Sequence, residues 1–148
     1  MRYYIIAGEA SGDLHGSNLI KAIKAKDNHA VIQCWGGDLM QAAGGTLVKH
    51  YRDLAFMGFV EVLMNLRTIL SNIKFCKKDI EAFQPDVLIC IDYPGFNLRI
   101  AEWAKQKNIK VVYFIAPQVW AWKENRVPAM RKNIDRLLCI LPFEKAYF

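Results

Sequence analysis

Apolar residues along this chain fall into two alternating kinds of segment. Five short runs rich in β-branched and aromatic residues, Tyr3–Ala7, Val31–Trp35, Asp86–Ile91, Val111–Ala116 and Leu137–Leu141, are mostly continuously apolar. Helix-like segments separate them, at Asp13–Lys26, Asp38–Ala43, Gly58–Phe83, Asn97–Lys107 and Glu124–Asn133. Strands that are apolar on both faces are the kind that crossover helices cover on both sides. The pattern therefore predicts an α/β fold built on a doubly wound parallel sheet.

The segment Gly58–Phe83 is more apolar than one buried face requires. Phe59, Leu63, Leu66, Leu70, Ile73, Ile80 and Phe83 keep helical spacing and describe one buried stripe. Val60, Val62, Met64, Ile69 and Phe75 widen the apolar surface, and Arg67, Lys74, Lys77 and Lys78 are interleaved with few acids. Such a helix suits the interface of an anionic membrane, its basic side chains snorkelling to headgroups. A second helix or a dimer partner over the extra apolar face is the competing explanation.

Composition narrows the class. With 148 residues, 53% of them hydrophobic, the chain can bury one ordinary core. The charged fraction of 23% and the lack of Pro, Gly or Ser runs argue against linkers and disorder. Cys34, Cys76, Cys90 and Cys139 form no CxxC pair and sit mostly in apolar runs, as reduced core thiols of a cytoplasmic protein do. The opening MRYYIIAGEASGD lacks the apolar region of a signal peptide, and no stretch of roughly 18 apolar residues encodes a membrane span. The sequence stops at LPFEKAYF, one turn into a further helix, so the expectation is a truncated chain. A net charge of +6 fits an anionic partner: a phosphorylated substrate, an acidic bilayer or nucleic acid.

Four segments that core packing does not explain each follow a strand: Gly8–Asp13, Gly36–Asp38, Asp92–Asn97 and Pro117–Trp122. In an open parallel sheet all four line one edge, where ligands bind in such folds. Gly8, Gly12 and Gly16 are spaced by four, which is not the GxGxxG fingerprint of a dinucleotide site. That turn offers Glu9 at a strand tip and backbone N–H groups at a helix start, with Ser11 or Asp13 as cap; a tight turn with a solvated Glu is the plain alternative. His15 reads as a helix-surface or packing residue. Gly36 and Gly37 permit close approach of a ligand to the backbone, while Asp38 reads first as a helix cap.

Asp92 follows the apolar run DVLICI directly, before Pro94 and Gly95 force a turn and Phe96 and Asn97 start a helix. A carboxylate at the end of a buried strand is partly desolvated, which raises its pKa and makes it a better proton acceptor than a surface Asp. Asp92 is thus the candidate general base, with an Asx turn as its structural alternative. Trp120 and Trp122 lie in a short Pro-broken stretch where rings can stack on sugars, anchor at a bilayer or simply be buried. Lys123 and Arg126 after them suit a nearby phosphate, whereas the patch Arg126, Arg131, Lys132 and Arg136 reads as a solvated face.

Taken together and in order, GEASGDLHG (Gly8–Gly16), WGGDLMQAAG (Trp35–Gly44), LAFMGFVEVL (Leu54–Leu63), PDVLICIDYPGFN (Pro85–Asn97), APQVWAW (Ala116–Trp122) and LPFEKAYF (Leu141–Phe148) resemble the lipid-A-disaccharide synthase family. The resemblance implies a GT-B glycosyltransferase, whose two Rossmann-like domains face each other across a cleft. Residues 1–148 then form the N-terminal, acceptor-side domain, and the UDP-sugar-binding domain lies outside the chain. The implied reaction transfers 2,3-diacylglucosamine, with inversion, from its UDP derivative to 2,3-diacylglucosamine 1-phosphate, forming a β-1,6 disaccharide and UDP. It needs no metal and no organic cofactor.

Carried onto this sequence, the resemblance makes Asp92 and Glu9 catalytic and places Ser11, Gly12, Asp13, Gly36, Gly37, Asn97, Gln118, Trp120 and Trp122 at the acceptor. The family's membrane-facing apolar patch matches Met57–Leu63, which favours the interface reading of the helix above and gives Val60, Val62, Leu63, Leu66, Ile69 and Leu70 as the expected membrane contacts. The implied partners are the acylated glucosamine phosphate acceptor, the UDP-diacylglucosamine donor held mainly by the absent domain, and the inner-membrane surface, with no nucleic acid; a homo-oligomer is compatible. The implied location is cytoplasmic, peripheral on the inner face of the inner membrane. Alone, the chain should neither bind donor well nor turn over. Tyr93 and Gly95 depart from the family pattern, which often has smaller or acidic residues there. Two rivals remain. A nicotinamide-binding module lacks its fingerprint and its ribose-binding acid, since the second strand ends in Gly36-Gly37. A non-catalytic membrane-surface module explains the apolar helix but not Glu9 or Asp92.

Overall fold

The computed structural model describes residues 1–54 and 66–148, the side chain of Trp122 excepted. Six strands form one sheet: β1 Arg2–Ala7, β2 Val31–Gly36, β3 Thr46–His50, β4 Val87–Ile91, β5 Lys110–Phe114 and β6 Arg136–Leu138. All neighbouring pairs are parallel, in the order β3-β2-β1-β4-β5-β6. The helices are α1 Ala10–Lys26, α2 Asp38–Ala42, α3 Leu66–Phe83, α4 Pro94–Gln106, α5 Val119–Trp122, α6 Val127–Asn133 and α7 Glu144–Tyr147, with 3₁₀ turns at Tyr51–Leu54 and Glu124–Arg126. The predicted doubly wound α/β sheet is present, and it has the Rossmann-like strand order.

Alternation along the strands sends residues to two cores. Tyr4, Ile6, Leu88, Cys90, Val111 and Tyr113 pack with Ile73, Ile80, Phe96 and Ile100 from α3 and α4. Ile5, Ala7, Cys34, Ile89 and Ile91 pack on the other face with Ile20 of α1 and Met40 of α2. Cys34, Cys76 and Cys90 are buried and free, and burial pushes the Cys34 thiol up to about 12. A polar cross-link joins layers: the Tyr4 hydroxyl and Gln33 Nε2 both donate to Asp79 Oδ2 at 2.6 Å, and Trp35 Nε1 donates to the Tyr4 oxygen at 2.8 Å.

Three expectations are corrected. The strand β3 is absent from the sequence reading because it is a half-buried edge strand carrying Lys49 and His50, without a continuous apolar run. Helix α1 begins at Ala10 and α4 at Pro94, so Asp13 and Asn97 lie inside helices and do not start them. On α3 the buried stripe is Ile73, Cys76, Ile80 and Phe83, with Ile69 packed beside it, while Leu66 and Leu70 are exposed. Cys76 occupies the inward position that the wider apolar spacing concealed. Phe59, Val60, Val62, Leu63 and Met64, and the start of the helix predicted from Gly58, lie outside the described residues.

Candidate active site

The strand order reverses between β1 and β4, and the tips of these two strands carry Glu9 and Asp92. A doubly wound sheet opens a crevice at that point because the helices leave its edge in opposite directions.

Asp92 and Tyr93 turn the chain out of β4 with consecutive left-handed conformations, φ 44° and 50°. Non-glycine residues adopt this region at a cost of roughly 1–3 kcal/mol each, so the surroundings must hold them there. They do. The Asp92 N–H donates to the Phe114 carbonyl at 3.2 Å, and the Asp92 carbonyl accepts from Asn97 Nδ2 at 2.9 Å and from the Tyr113 hydroxyl. Burial, and then the nearby charge of Glu9, raise the Asp92 carboxyl above its ordinary value, against a smaller opposing pull from the Tyr93 N–H. Strand-end desolvation was the sequence argument for Asp92 as a base, and the half-buried carboxyl has that environment.

Asn97 is fully buried, and its Nδ2 also reaches the carbonyls of Ile6 and Ile91 at 3.3 Å each. It therefore ties β1, β4 and the Asp92 turn together. Expected at the acceptor, Asn97 is here a buried side chain bonded to backbone carbonyls, with no surface exposed in this structure.

Glu9 is the N-terminal boundary residue of α1, exposed and extended, and Ser11 Oγ donates to its Oε1 at 3.3 Å. Neither Ser11 nor Asp13 caps α1. The Asp13 carboxylate instead crosses to the next βα turn, where Oδ1 accepts from the Gly37 and Met40 N–H groups at 2.9 and 3.0 Å and Oδ2 from Leu39 N–H at 3.2 Å. Asp13 thus caps α2. Asp38, predicted to do so, faces outward to His50 and Arg52. A Cβ on Gly37 would stand 2.5 Å from the Tyr51 ring and 2.6 Å from Asp13 Oδ2, so this glycine admits the protein's own groups. Gly12 and Gly36 are likewise filled, by Ala7 and Met40. The structure gives Gly12, Asp13, Gly36 and Gly37 work in packing this edge.

At the other end of the edge, Gln118 is exposed at the start of α5. Trp120 is half-buried; its Nε1 donates to Glu144 Oε1 at 3.0 Å and its ring meets Phe143 edge-on. Glu144, 1% exposed, also accepts the Ile140 and Leu141 N–H groups on Oε2. Glu144 and Tyr113 escaped the sequence reading. Glu144 had one signal, a lone acid between apolar residues in LPFEKAYF, whereas Tyr113 had none. Among the described residues no group of three or more His, Cys, Asp or Glu side chains could hold a metal ion, and no helix is long and apolar enough to cross a membrane.

Comparison with known proteins adds four findings. The family profile described as Lipid-A-disaccharide synthetase matches residues 3–148. The lipid-A-disaccharide synthase of Gluconobacter oxydans (strain 621H) is 45% identical over 145 residues, covering 98% of this chain and 35% of that protein. That of Geobacter metallireducens is 43% identical over 147 residues, covering 99% and 38%. The chain thus spans just over a third of these relatives' length. A crystal structure of UDP-GlcNAc 2-epimerase from Neisseria meningitidis bound to UDP-GlcNAc superposes with a TM-score of 0.58 at 13% identity, over 90% of this chain and 39% of that one. That last likeness concerns the fold alone.

Proposed function

This chain belongs to the lipid-A-disaccharide synthase family, and from that premise we propose that it is the acceptor-side half of an inverting glycosyltransferase. In this reading it transfers 2,3-diacylglucosamine from the UDP derivative to 2,3-diacylglucosamine 1-phosphate, and the UDP-sugar pocket lies in the length that the relatives have beyond it. The observation that carries the reading is the Asp92 carboxyl, held at the sheet's switch point beside Glu9 with a raised pKa.

Asp92 accepts the proton of the acceptor's 6-hydroxyl while that oxygen bonds to the anomeric carbon. The bond from that carbon to the UDP oxygen breaks on the opposite face, and UDP leaves with the electron pair. Glu9 keeps Asp92 basic and orients the acceptor. Trp120, steadied by Glu144, offers a ring face to the sugar at the far end of the edge. Asn97 and Tyr113 act on Asp92's backbone as positioning residues.

Membrane association belongs to the same proposal. Leu66 and Leu70 are both 52% exposed and Phe75 is 48% exposed, on a helix that also presents Arg67, Lys74 and Lys78 to solvent. That surface supports contact with an anionic bilayer at its cytoplasmic face, where diacylated substrates reside. It equally favours the second reading, a membrane-surface module without catalysis, which leaves the strained Asp92 turn unexplained.

The test is turnover of UDP-2,3-diacylglucosamine with radiolabelled acceptor, using this chain with and without the C-terminal portion of a relative. Disaccharide formed only with both halves supports the transferase. No product from folded, associated halves would favour the module.

A further inference from the structure

Between α4 and α6 the surface opens into a groove of about 240 Å³. Leu98, Met130 and Ile134 give it an apolar floor, and Arg99 and Arg126 stand over it. Both helices run antiparallel to the strands, so the groove's N-terminal end lies at the ligand-binding edge of the sheet. Pro94 and Gly95, which directly follow the Asp92–Tyr93 turn, also line this end of the groove, and the Tyr113 hydroxyl donates to the Asp92 carbonyl. The basic end of the groove therefore adjoins the candidate base.

Three features point to a ligand. Arg99 and Arg126 face the same groove, and among the described residues neither guanidinium group is engaged by an ion pair or a side-chain hydrogen bond, so both can meet an anion there. Asn133 lines the groove, and among the described residues its side-chain amide makes no hydrogen bond that would hold it away from a ligand there. Glu102 is the lone acid on the lining, so the two arginines leave the groove net positive. An anion pairs with the guanidinium groups, a polar linkage can bond the Asn133 amide, and hydrocarbon covers the floor. The volume is below the roughly 300–1,000 Å³ of sites that enclose a drug-sized ligand, so the groove takes one end of a larger molecule.

We propose that this groove holds the phosphorylated end of the acyl-sugar acceptor: Arg99 and Arg126 bind the phosphate, Asn133 bonds an acyl linkage, and the floor receives the first carbons of that chain. The assignment rests on the acceptor-side reading above and adds to it the element that distinguishes acceptor from donor. It makes Arg99 and Arg126 specificity residues without a part in proton transfer.

The test is titration of the chain with a short-acyl, soluble 2,3-diacylglucosamine 1-phosphate, followed by amide chemical shifts. The unphosphorylated sugar, inorganic phosphate and UDP serve as parallel arms. The expected result is shifts along α4 and α6, with affinity falling about tenfold in Arg99→Gln and in Arg126→Gln, the loss of one charge-assisted contact. The unphosphorylated sugar should bind more weakly and ignore both substitutions. Ala129→Phe, at an exposed lining position, should narrow the groove and weaken the phosphorylated probe without a change of charge. Binding near Glu9 and Asp92 that both arginine variants leave intact would overturn the groove and spare the acceptor-side reading. UDP binding with the same sensitivity to the variants would reassign the arginines to the donor and overturn the proposal. No binding of either sugar would sink both.

Discussion

The ring of Tyr93 lies against Gly8 so closely that a Cβ on Gly8 would stand 2.4 Å from two of its carbons. The contact joins the tips of β1 and β4, the two strands that carry Glu9 and Asp92. It shows how the chain accommodates the bulky Tyr93 ring at this turn. Gly8→Ala should therefore cost about 1–3 kcal/mol, the range for forcing an added carbon into a packed site, as read from urea unfolding. Adding Tyr93→Gly, which removes the ring and relieves the left-handed φ of 50°, should recover much of that loss. Strictly additive costs would mean that the two residues do not share this contact.

Asp92→Asn in the reconstituted enzyme should lower turnover by about 10²- to 10⁴-fold, the contribution of one positioned base. Asn tolerates the left-handed backbone, so the turn should survive. The sign for stability is opposite. A carboxyl whose folded pKa is raised contributes stability that is present below its unfolded pKa and lost as pH rises through the folded one. At neutral pH the Asn variant should melt no lower than the parent. Near-normal turnover would remove Asp92 from the reaction.

Glu9→Gln removes the charge that helps hold the Asp92 carboxyl up. If Asp92 is the base, the acid limb of kcat/KM should move to lower pH in this variant while the plateau falls. A limb that stays in place would assign the titration to another group.

Asp13→Ala deletes the acceptor for three backbone N–H groups at the start of α2. The loss should be about 2 kcal/mol, in the range of a strong cap bonded by a charged group. The effect should appear in unfolding and leave acceptor affinity unchanged in the folded variant. A selective loss of acceptor binding at full stability would restore Asp13 to the ligand.

Leu66→Gln with Leu70→Gln should weaken flotation with anionic vesicles and leave the melting temperature within about 2 °C, since surface substitutions usually change stability by under about 0.5 kcal/mol. Binding by the parent should decline with salt as charge is screened. Flotation unaffected by the pair would take α3 off the membrane.

What could be read in advance follows from range. Continuous apolar runs such as DVLICI are local, and they announced four central strands and the parallel class. Thr46–His50 was invisible because one face of an edge strand is half solvated. The half-buried setting of the Asp92 carboxyl was legible because it comes from the strand that immediately precedes it.

Glu144, Tyr113 and the true task of Asp13 were not legible, because each bonds a group far along the chain, Glu144 the Trp120 ring N–H 24 residues away. Asp13 reaches across 24 residues to Gly37, and Tyr113 across 21 to Asp92. By itself the sequence determined the layered α/β architecture, the order of its motifs and the acid at the tip of β4, all consequences of neighbouring side chains and their burial. Only the tertiary structure decided which glycines are filled by the protein itself, which face of α3 meets the core, and where Arg99 and Arg126 converge. Those outcomes depend on parallel strands whose register brings distant segments to one edge, and no periodicity along the chain encodes that meeting.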